Sequence, residues 1–166
     1  DYIQSGADII TTNTFRTTSW TYKRAGYTDI ISEKRAKKSL YSAVECAHKA
    51  SKGSVKIAGS ITSLNDCYIP SNFPGRNVAI DVYGQTLDWL IDSGVDVILF
   101  ETMGSFEEID VALSLASKYE KPIWLSVIMK DAKLILDGTP IEKILFLANH
   151  HLVEAFLFNC NNLDKT

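Results

Sequence analysis

Five short apolar runs divide the chain into strand-like pieces separated by longer segments of helical character. Each run is rich in β-branched residues and almost continuous in its hydrophobicity, which is typical of strands that are buried on both faces of a parallel sheet. The runs span residues 7–12, 55–61, 95–100, 122–128 and 153–158. The pattern therefore predicts five parallel strands.

The segments between the runs place apolar residues at the 3.6-residue period of an amphipathic helix. Residues 32–52 carry one such stripe, and a second runs through Ile80, Tyr83, Leu87, Leu90 and Ile91. Ser105 with Glu108, and Thr139 with Pro140 and Glu142, are typical of capping boxes, the latter with proline at the first helical position. We therefore predict helices after both signals.

Strand and helix in alternation build right-handed crossovers and a parallel sheet that helices cover. Two architectures remain: a complete open sheet of the flavodoxin type, or part of a closed (β/α)8 barrel, which takes about 250 residues. The chain has 166 residues, begins on what resembles the last turn of a helix before Gly6, and ends soon after a strand. These features favour a barrel fragment that is truncated at both ends.

Composition and net charge exclude several classes of protein. Hydrophobic residues make up 46% of the chain, and the formal charge is -3 from 17 basic and 20 acidic residues. Such a chain can form a core, whereas nucleic-acid binding calls for a concentrated basic surface. No apolar run is long enough to span a bilayer, and no leader pattern is present. Because the three cysteines fit no disulfide framework, we expect a cytoplasmic protein without nucleic-acid or membrane partners.

Polar residues follow each predicted strand, at the edge where parallel α/β proteins collect their chemistry. A carboxylate directly after an apolar run, as at Glu101, needs a partner or a function, although it could also cap the next helix. Cys160 is either a buried small hydrophobe or a functional thiol, and Asn13 either a ligand or a turn residue. These groups are Asn13, Ser60, Glu101, Thr102, Ser126, Asn159 and Cys160.

Other common functional motifs are absent from the sequence, and the remaining histidines and cysteines have structural explanations. The sequence has no glycine-rich nucleotide loop and no GxSxG nucleophile turn. His150 and His151 end a predicted helix, where the helix dipole suits them. Cys46 and His48 fall on different sides of their helix and form no metal-binding pair.

Four segments together carry a resemblance to a known family: residues 6–15 (GADIITTNTF), 57–61 (IAGSI), 96–102 (DVILFET) and 158–160 (FNC). In this order and spacing the chain resembles the homocysteine S-methyltransferases, zinc-dependent TIM barrels that methylate homocysteine to methionine. The resemblance implies that residues 1–166 are a partial barrel domain covering about strands two to six. The first strand and the last two, with a Gly-Gly-Cys-Cys motif, would lie outside it.

The resemblance also implies roles for the polar rim. Cys160 matches the first of three cysteine ligands of a Zn2+ ion, and the other two would come from outside this chain. Glu101 matches the carboxylate that holds the homocysteine amino group, and Asn13, Ser60 and Thr102 fall in motifs that line the same substrate pocket. A thiolate-bound zinc would hold homocysteine as a thiolate nucleophile, ready to attack the methyl group of a donor.

One departure and two alternatives remain open. Many relatives have glycine-proline after the second motif, whereas this chain has Thr62-Ser63, which leaves the methyl donor open. S-methylmethionine or S-adenosylmethionine would suit a compact family member, and betaine and methyl-folate remain open. A self-contained five-stranded binding module without catalysis is one alternative. A metal-independent barrel enzyme that uses Glu101 as a general base is the other.

Overall fold

The computed structural model describes residues 2–161 and contains a single five-stranded sheet. Every neighbouring pair of strands is parallel. All five predicted strands are present, and only the third extends beyond its predicted end. The strands are β1 Ile9–Thr11, β2 Lys56–Ile61, β3 Val97–Met103, β4 Ile123–Val127 and β5 Ala155–Phe158.

Five α-helices connect and cover the strands: α1 Ser19–Arg24, α2 Asp29–Ser51, α3 Arg76–Asp92, α4 Phe106–Ala116 and α5 Ile141–His150. Each connection between consecutive strands contains at least one of these helices. The apolar periodicity predicted α2 and α3. The short α1 escaped prediction because six residues are too few to show a period. None of the helices described in residues 2–161 is long and apolar enough to cross a membrane.

The two predicted capping boxes have different outcomes. Ser105 is the N-cap of α4, and its hydroxyl accepts a hydrogen bond from the Glu108 amide, as predicted. The second predicted helix is present as α5, but its capping box is wrong: Pro140 is the N-cap and makes no side-chain cap bond. Thr139 is instead part of a folded loop, where its carbonyl accepts from the Ile135 amide and neighbouring residues form antiparallel bridges.

The order of the strands separates the two architectures left open by the sequence. The sheet runs β1-β2-β3-β4-β5, so every new strand is added at the same edge. A doubly wound sheet reverses direction at a switch point, whereas a barrel adds its strands in sequence. Consecutive helices contact one another, which places them in one layer. The fold is therefore a partial TIM barrel, and the flavodoxin-type alternative is wrong.

The core has two layers, as the alternation of strand residues requires. One set of strand residues, including Ile57, Ile98, Phe100 and Leu125, is buried beneath the helices with the large main core. The opposite set forms a smaller inner cluster of Ala58, Val97 and Leu99, packed by Ile9, Trp124 and Leu157. The inner face ends at the carboxyl edge in polar residues, which form the candidate site.

Candidate substrate site at the carboxyl edge of the sheet

The register of the strands brings the predicted polar residues to one rim. Ser60 of β2 lies opposite Leu99 of β3, and Ser126 of β4 lies opposite Leu157 of β5. Glu101 and Asn159 come two residues after Leu99 and Leu157, so they continue the inner face. Four side chains from successive strands therefore share the end of the sheet, as predicted.

Glu101 and Ser60 contact each other directly across β2 and β3. The Ser60 hydroxyl donates to Glu101 Oε1 at 2.5 Å, and Ser60 itself is buried. The helix that follows Glu101 is capped by Ser105, so the helix-cap alternative for Glu101 is wrong. The pair presents a half-buried, oriented carboxylate at the rim.

Asn159 connects the ends of β3, β4 and β5. Its Oδ1 accepts from the Thr102 amide at 3.0 Å and from the Ser126 hydroxyl at 2.8 Å. Its Nδ2 donates to Thr102 Oγ1 at 2.7 Å. Thr102 has a φ of 62°, which is uncommon for a β-branched residue, and the amide of Asn159 holds it there. The sequence predicted that Asn159 lies at the polar rim but assigned it no role in the substrate pocket.

Cys160 follows directly and places its thiol at the rim. The residue is exposed, has a φ of 55°, and its Sγ accepts from Asn159 Nδ2 at 3.5 Å. The thiol lies against the hydroxyl of Tyr68, and this interaction is the main cause that raises the pKa of Tyr68. The loop after β2 therefore meets the end of β5 at Cys160, and Tyr68 is a rim residue that the sequence did not indicate.

Asn13 lies apart from these contacts. It is exposed beyond the end of β1 and lines a groove with Ile10 and Cys46, on the side of α2. Its neighbours Thr12 and Thr14 connect β1 to the rim instead: the Ser60 amide donates to Thr12 Oγ1, and Thr14 Oγ1 donates to the Ser60 carbonyl. The structure does not bring Asn13 to Glu101, and its role in the substrate pocket stays a prediction.

A buried carboxylate supports the loop that follows β2. Glu108, only 3% exposed, accepts from the Leu64 amide at 2.8 Å and from the Tyr83 hydroxyl at 2.7 Å. Tyr83 also contacts the Thr62 carbonyl. Burial raises the pKa of Glu108, against the lowering effect of these hydrogen bonds. Sequence reasoning recognised Glu108 only as a capping residue, although a glutamate within an apolar helix stripe was a signal of partnered burial.

The positions of the three cysteines show which metal ligands this chain could supply. No group of three histidine, cysteine or acidic residues in the described range 2–161 could hold one. Cys46 is exposed on α2, and Cys67 is buried, which raises the pKa of its thiol. Among the described cysteines, Cys160 is therefore the one whose thiol lies at the rim. Two further ligands would have to come from outside the described residues.

Comparison with known proteins agrees with this architecture. The profile of the homocysteine S-methyltransferase family matches residues 1–166. The homocysteine S-methyltransferase of Escherichia coli (strain K12) is 25% identical, and the match covers 100% of this chain and 58% of that protein. The selenocysteine methyltransferase of Astragalus bisulcatus is 27% identical, with 86% of this chain and 51% of that protein covered.

A solved structure supports the fold independently. The metallated form of the homocysteine methyltransferase MmuM from Escherichia coli superposes with a TM-score of 0.89 at 23% identity. The superposition covers 99% of this chain and 62% of that one, so the chain spans about three-fifths of its structural relative. With a profile match over its whole length, a sequential parallel sheet and a polar rim, the chain belongs to the homocysteine S-methyltransferase family.

Proposed function

We propose that the protein to which this chain belongs transfers a methyl group to the sulfur of homocysteine, giving methionine. Residues 1–166 would supply barrel strands two to six and one side of the substrate site. The observation that carries this proposal is the shared rim, where the Ser60–Glu101 pair and the Cys160 thiol lie at the carboxyl ends of β2, β3 and β5. A carboxylate and a thiol at one rim match the two ends of homocysteine, its amine and its sulfur.

Glu101 would bind the ammonium group of homocysteine. Ser60 donates to one carboxylate oxygen and so fixes the orientation of the group before substrate arrives. A half-buried carboxylate attracts a cation more strongly than one in bulk water, because the local dielectric constant is lower. Thr102, held by Asn159, would shape the neighbouring backbone of the pocket.

Cys160 would serve as one of three thiolate ligands of a Zn2+ ion. When bound, the ion would lower the pKa of the homocysteine thiol and so supply a nucleophile at neutral pH. Asn159 orients the Cys160 thiol through its amide, as outer groups commonly orient metal ligands. The methyl donor would be S-methylmethionine or S-adenosylmethionine, and a cytoplasmic location stays a prediction.

The metal assignment is tested with Cys160→Ser in the full-length protein. We expect elemental analysis to show a loss of bound zinc, together with loss of methyl transfer to homocysteine. The matched control is Cys46→Ser, because Cys46 is also an exposed cysteine but lies on α2, away from the rim. Unchanged zinc content in Cys160→Ser would overturn the assignment.

Glu101→Gln separates the proposal from the metal-independent alternative. If Glu101 binds the amine, we expect the KM for homocysteine to rise about tenfold or more, as for loss of a charged hydrogen bond. If Glu101 were a general base, turnover would fall while homocysteine binding stayed unchanged. Steady-state kinetics and equilibrium binding of homocysteine distinguish the two results.

A further inference from the structure

Two arginines that form no ion pair within the described residues line a groove beside the rim. Arg16 follows β1 and Arg24 lies in the last turn of α1, and together they line a groove of about 460 Å3. The loop after β2 forms the other wall with Leu64, Asn65 and Asp66. Among the residues described, the ion pairs are Lys23–Asp29, Glu45–Lys49 and Arg76–Asp110, none of which involves either groove arginine.

Both guanidinium groups are held by neutral acceptors. Arg24 Nη1 donates to Asn65 Oδ1 at 2.6 Å, and Arg16 Nη2 donates to the Cys67 sulfur at 3.4 Å. A guanidinium carries five N–H donors in a planar fork that matches a carboxylate in a bidentate arrangement. Arg16 also lies near enough to the buried Glu108 carboxylate to lower its pKa, but it forms no hydrogen bond with it. One hydrogen bond for each arginine therefore leaves most of the N–H donors for a ligand.

The wall of the groove is already ordered around Asn65. The Trp20 indole donates to the same Asn65 Oδ1 at 2.9 Å, and Asn65 Nδ2 donates to the Asn72 carbonyl. Asn65 therefore holds Arg24 in place from a fixed position. Asp66, the acidic residue of the groove, accepts from the Tyr68 amide within its own loop.

The groove lies next to the proposed homocysteine site and not within it. The carbonyl of Phe15, which precedes Arg16, accepts from the Thr62 amide at the end of β2. The loop that begins at Thr62 forms the groove wall and continues to Tyr68, which lies against Cys160. A ligand in this groove would therefore approach the rim from the side of the β2 loop.

We propose that this groove binds the carboxylate of the methyl donor. The inference rests on the proposed function, in which a zinc ion held in part by Cys160 would bind the sulfur of homocysteine and Glu101 its amine. A sulfonium donor with an amino-acid tail carries a positive charge at its methyl end and a carboxylate at the other. The arginines attract the carboxylate and repel the sulfonium, which directs the methyl group away from the groove and toward the rim.

The test uses Arg16→Gln, Arg24→Gln and the double variant of the full-length protein. We expect the KM for S-methylmethionine to rise about tenfold for each single variant, with kcat and the KM for homocysteine within about twofold of wild type. Arg76→Gln is the control, because Arg76 is an exposed arginine already paired with Asp110. A trialkylsulfonium donor without a carboxylate should show no difference between wild type and the groove variants.

A binding measurement separates this inference from the proposed function. Trp20 shares its acceptor with Arg24, so its fluorescence should change when S-methylmethionine is added, and Trp20→Phe should abolish that change. If wild type binds S-methylmethionine in this way but transfers no methyl group, the proposed function fails and the groove assignment stands. A rise in the KM for homocysteine alone in the groove variants would overturn the donor assignment. So would a fluorescence change with inorganic phosphate as large as the one with S-methylmethionine.

Discussion

Glu108 is a buried carboxylate that accepts hydrogen bonds from two other buried groups. It satisfies the Leu64 amide and the Tyr83 hydroxyl, both away from water. Because each unsatisfied buried polar group costs about 1–3 kcal/mol, we expect Glu108→Ala to lower the free energy of unfolding by about 3 kcal/mol. Urea unfolding measures this loss. Glu107→Ala, an exposed neighbour in the same helical turn, should change stability by less than about 0.5 kcal/mol.

The raised pKa of Glu108 also predicts a pH dependence. Burial is the main cause, and it favours the protonated carboxyl in the folded state, so the folded chain holds this proton to higher pH than the unfolded chain. The contribution of this group to stability therefore falls as the pH rises from the ordinary carboxyl pKa through the raised one. Glu108→Gln keeps an acceptor but has no proton to lose, so its stability relative to wild type should increase across that window. Urea unfolding at a series of pH values checks this, and parallel pH profiles would contradict it.

The side chain of Asn159 connects three strands, so we expect its loss to affect both the stability of the fold and the rim. Asn159→Leu removes both acceptors and donors and leaves the Thr102 amide and the Ser126 hydroxyl without this partner. We expect a loss of about 2 kcal/mol in unfolding free energy and a changed rate of alkylation at the adjacent Cys160 thiol. Asn149→Leu, on the exposed surface of α5, is the control and should alter neither measurement.

At the level of residues, the polar positions at the ends of the apolar runs were enough to predict which residues lie at the rim. Ser60, Glu101 and Thr102 follow from the ends of apolar runs, and the structure places them there. The contacts between loops could not be predicted in this way. Tyr68 reaches Cys160, and Arg16 reaches Cys67, from positions dozens of residues apart, and a short-range period carries no information about such distances.

At the level of elements, Gly59 shows why β2 and α3 can approach closely. A Cβ at this position would lie 3.1 Å from side-chain carbons of Leu90 and Val95, closer than ordinary contact. We therefore expect Gly59→Ala to lower the free energy of unfolding by about 1–3 kcal/mol through overpacking. Gly84→Ala on α3 is the matched variant: its Cβ would meet nothing within 4 Å, and alanine favours the helix by about 0.5–1 kcal/mol. Thermal unfolding of both variants should show shifts of opposite sign.

Element boundaries were predictable where a local signal was strong and not where the tertiary structure competed. The Ser105 cap of α4 is purely local and was predicted correctly. At Pro140 the same kind of signal failed, because the preceding loop folds back through bridges between Met129 and Ile135 and between Leu134 and Pro140. Strand order, which separates a barrel from a doubly wound sheet, is a long-range property that the alternating pattern left open.

At the scale of the whole molecule, the two outer strands of the described sheet each have one unpaired edge. Within the described sheet, β1 pairs with β2 alone and β5 with β4 alone. Large apolar residues are exposed on α5, in the turn after it and at the end of β5, where Phe146, Leu152 and Phe158 are 76%, 85% and 49% exposed. Unpaired edges beside apolar surface favour association between chains. The chain also covers only 62% of its structural relative, which supports the proposal that further strands complete the barrel.

We therefore expect residues 1–166, expressed alone, to self-associate, whereas the full-length protein should not do so through this edge. Sedimentation velocity over a concentration series measures the association. Phe146→Lys with Phe158→Lys should weaken it, because charge on an exposed edge opposes pairing. Ile80→Lys on α3 is the control, since Ile80 is similarly apolar and 45% exposed but lies on a helix distant in sequence from β5. A monomer that unfolds in one cooperative transition would instead support the self-contained binding module and contradict the proposal that this chain is part of a larger barrel.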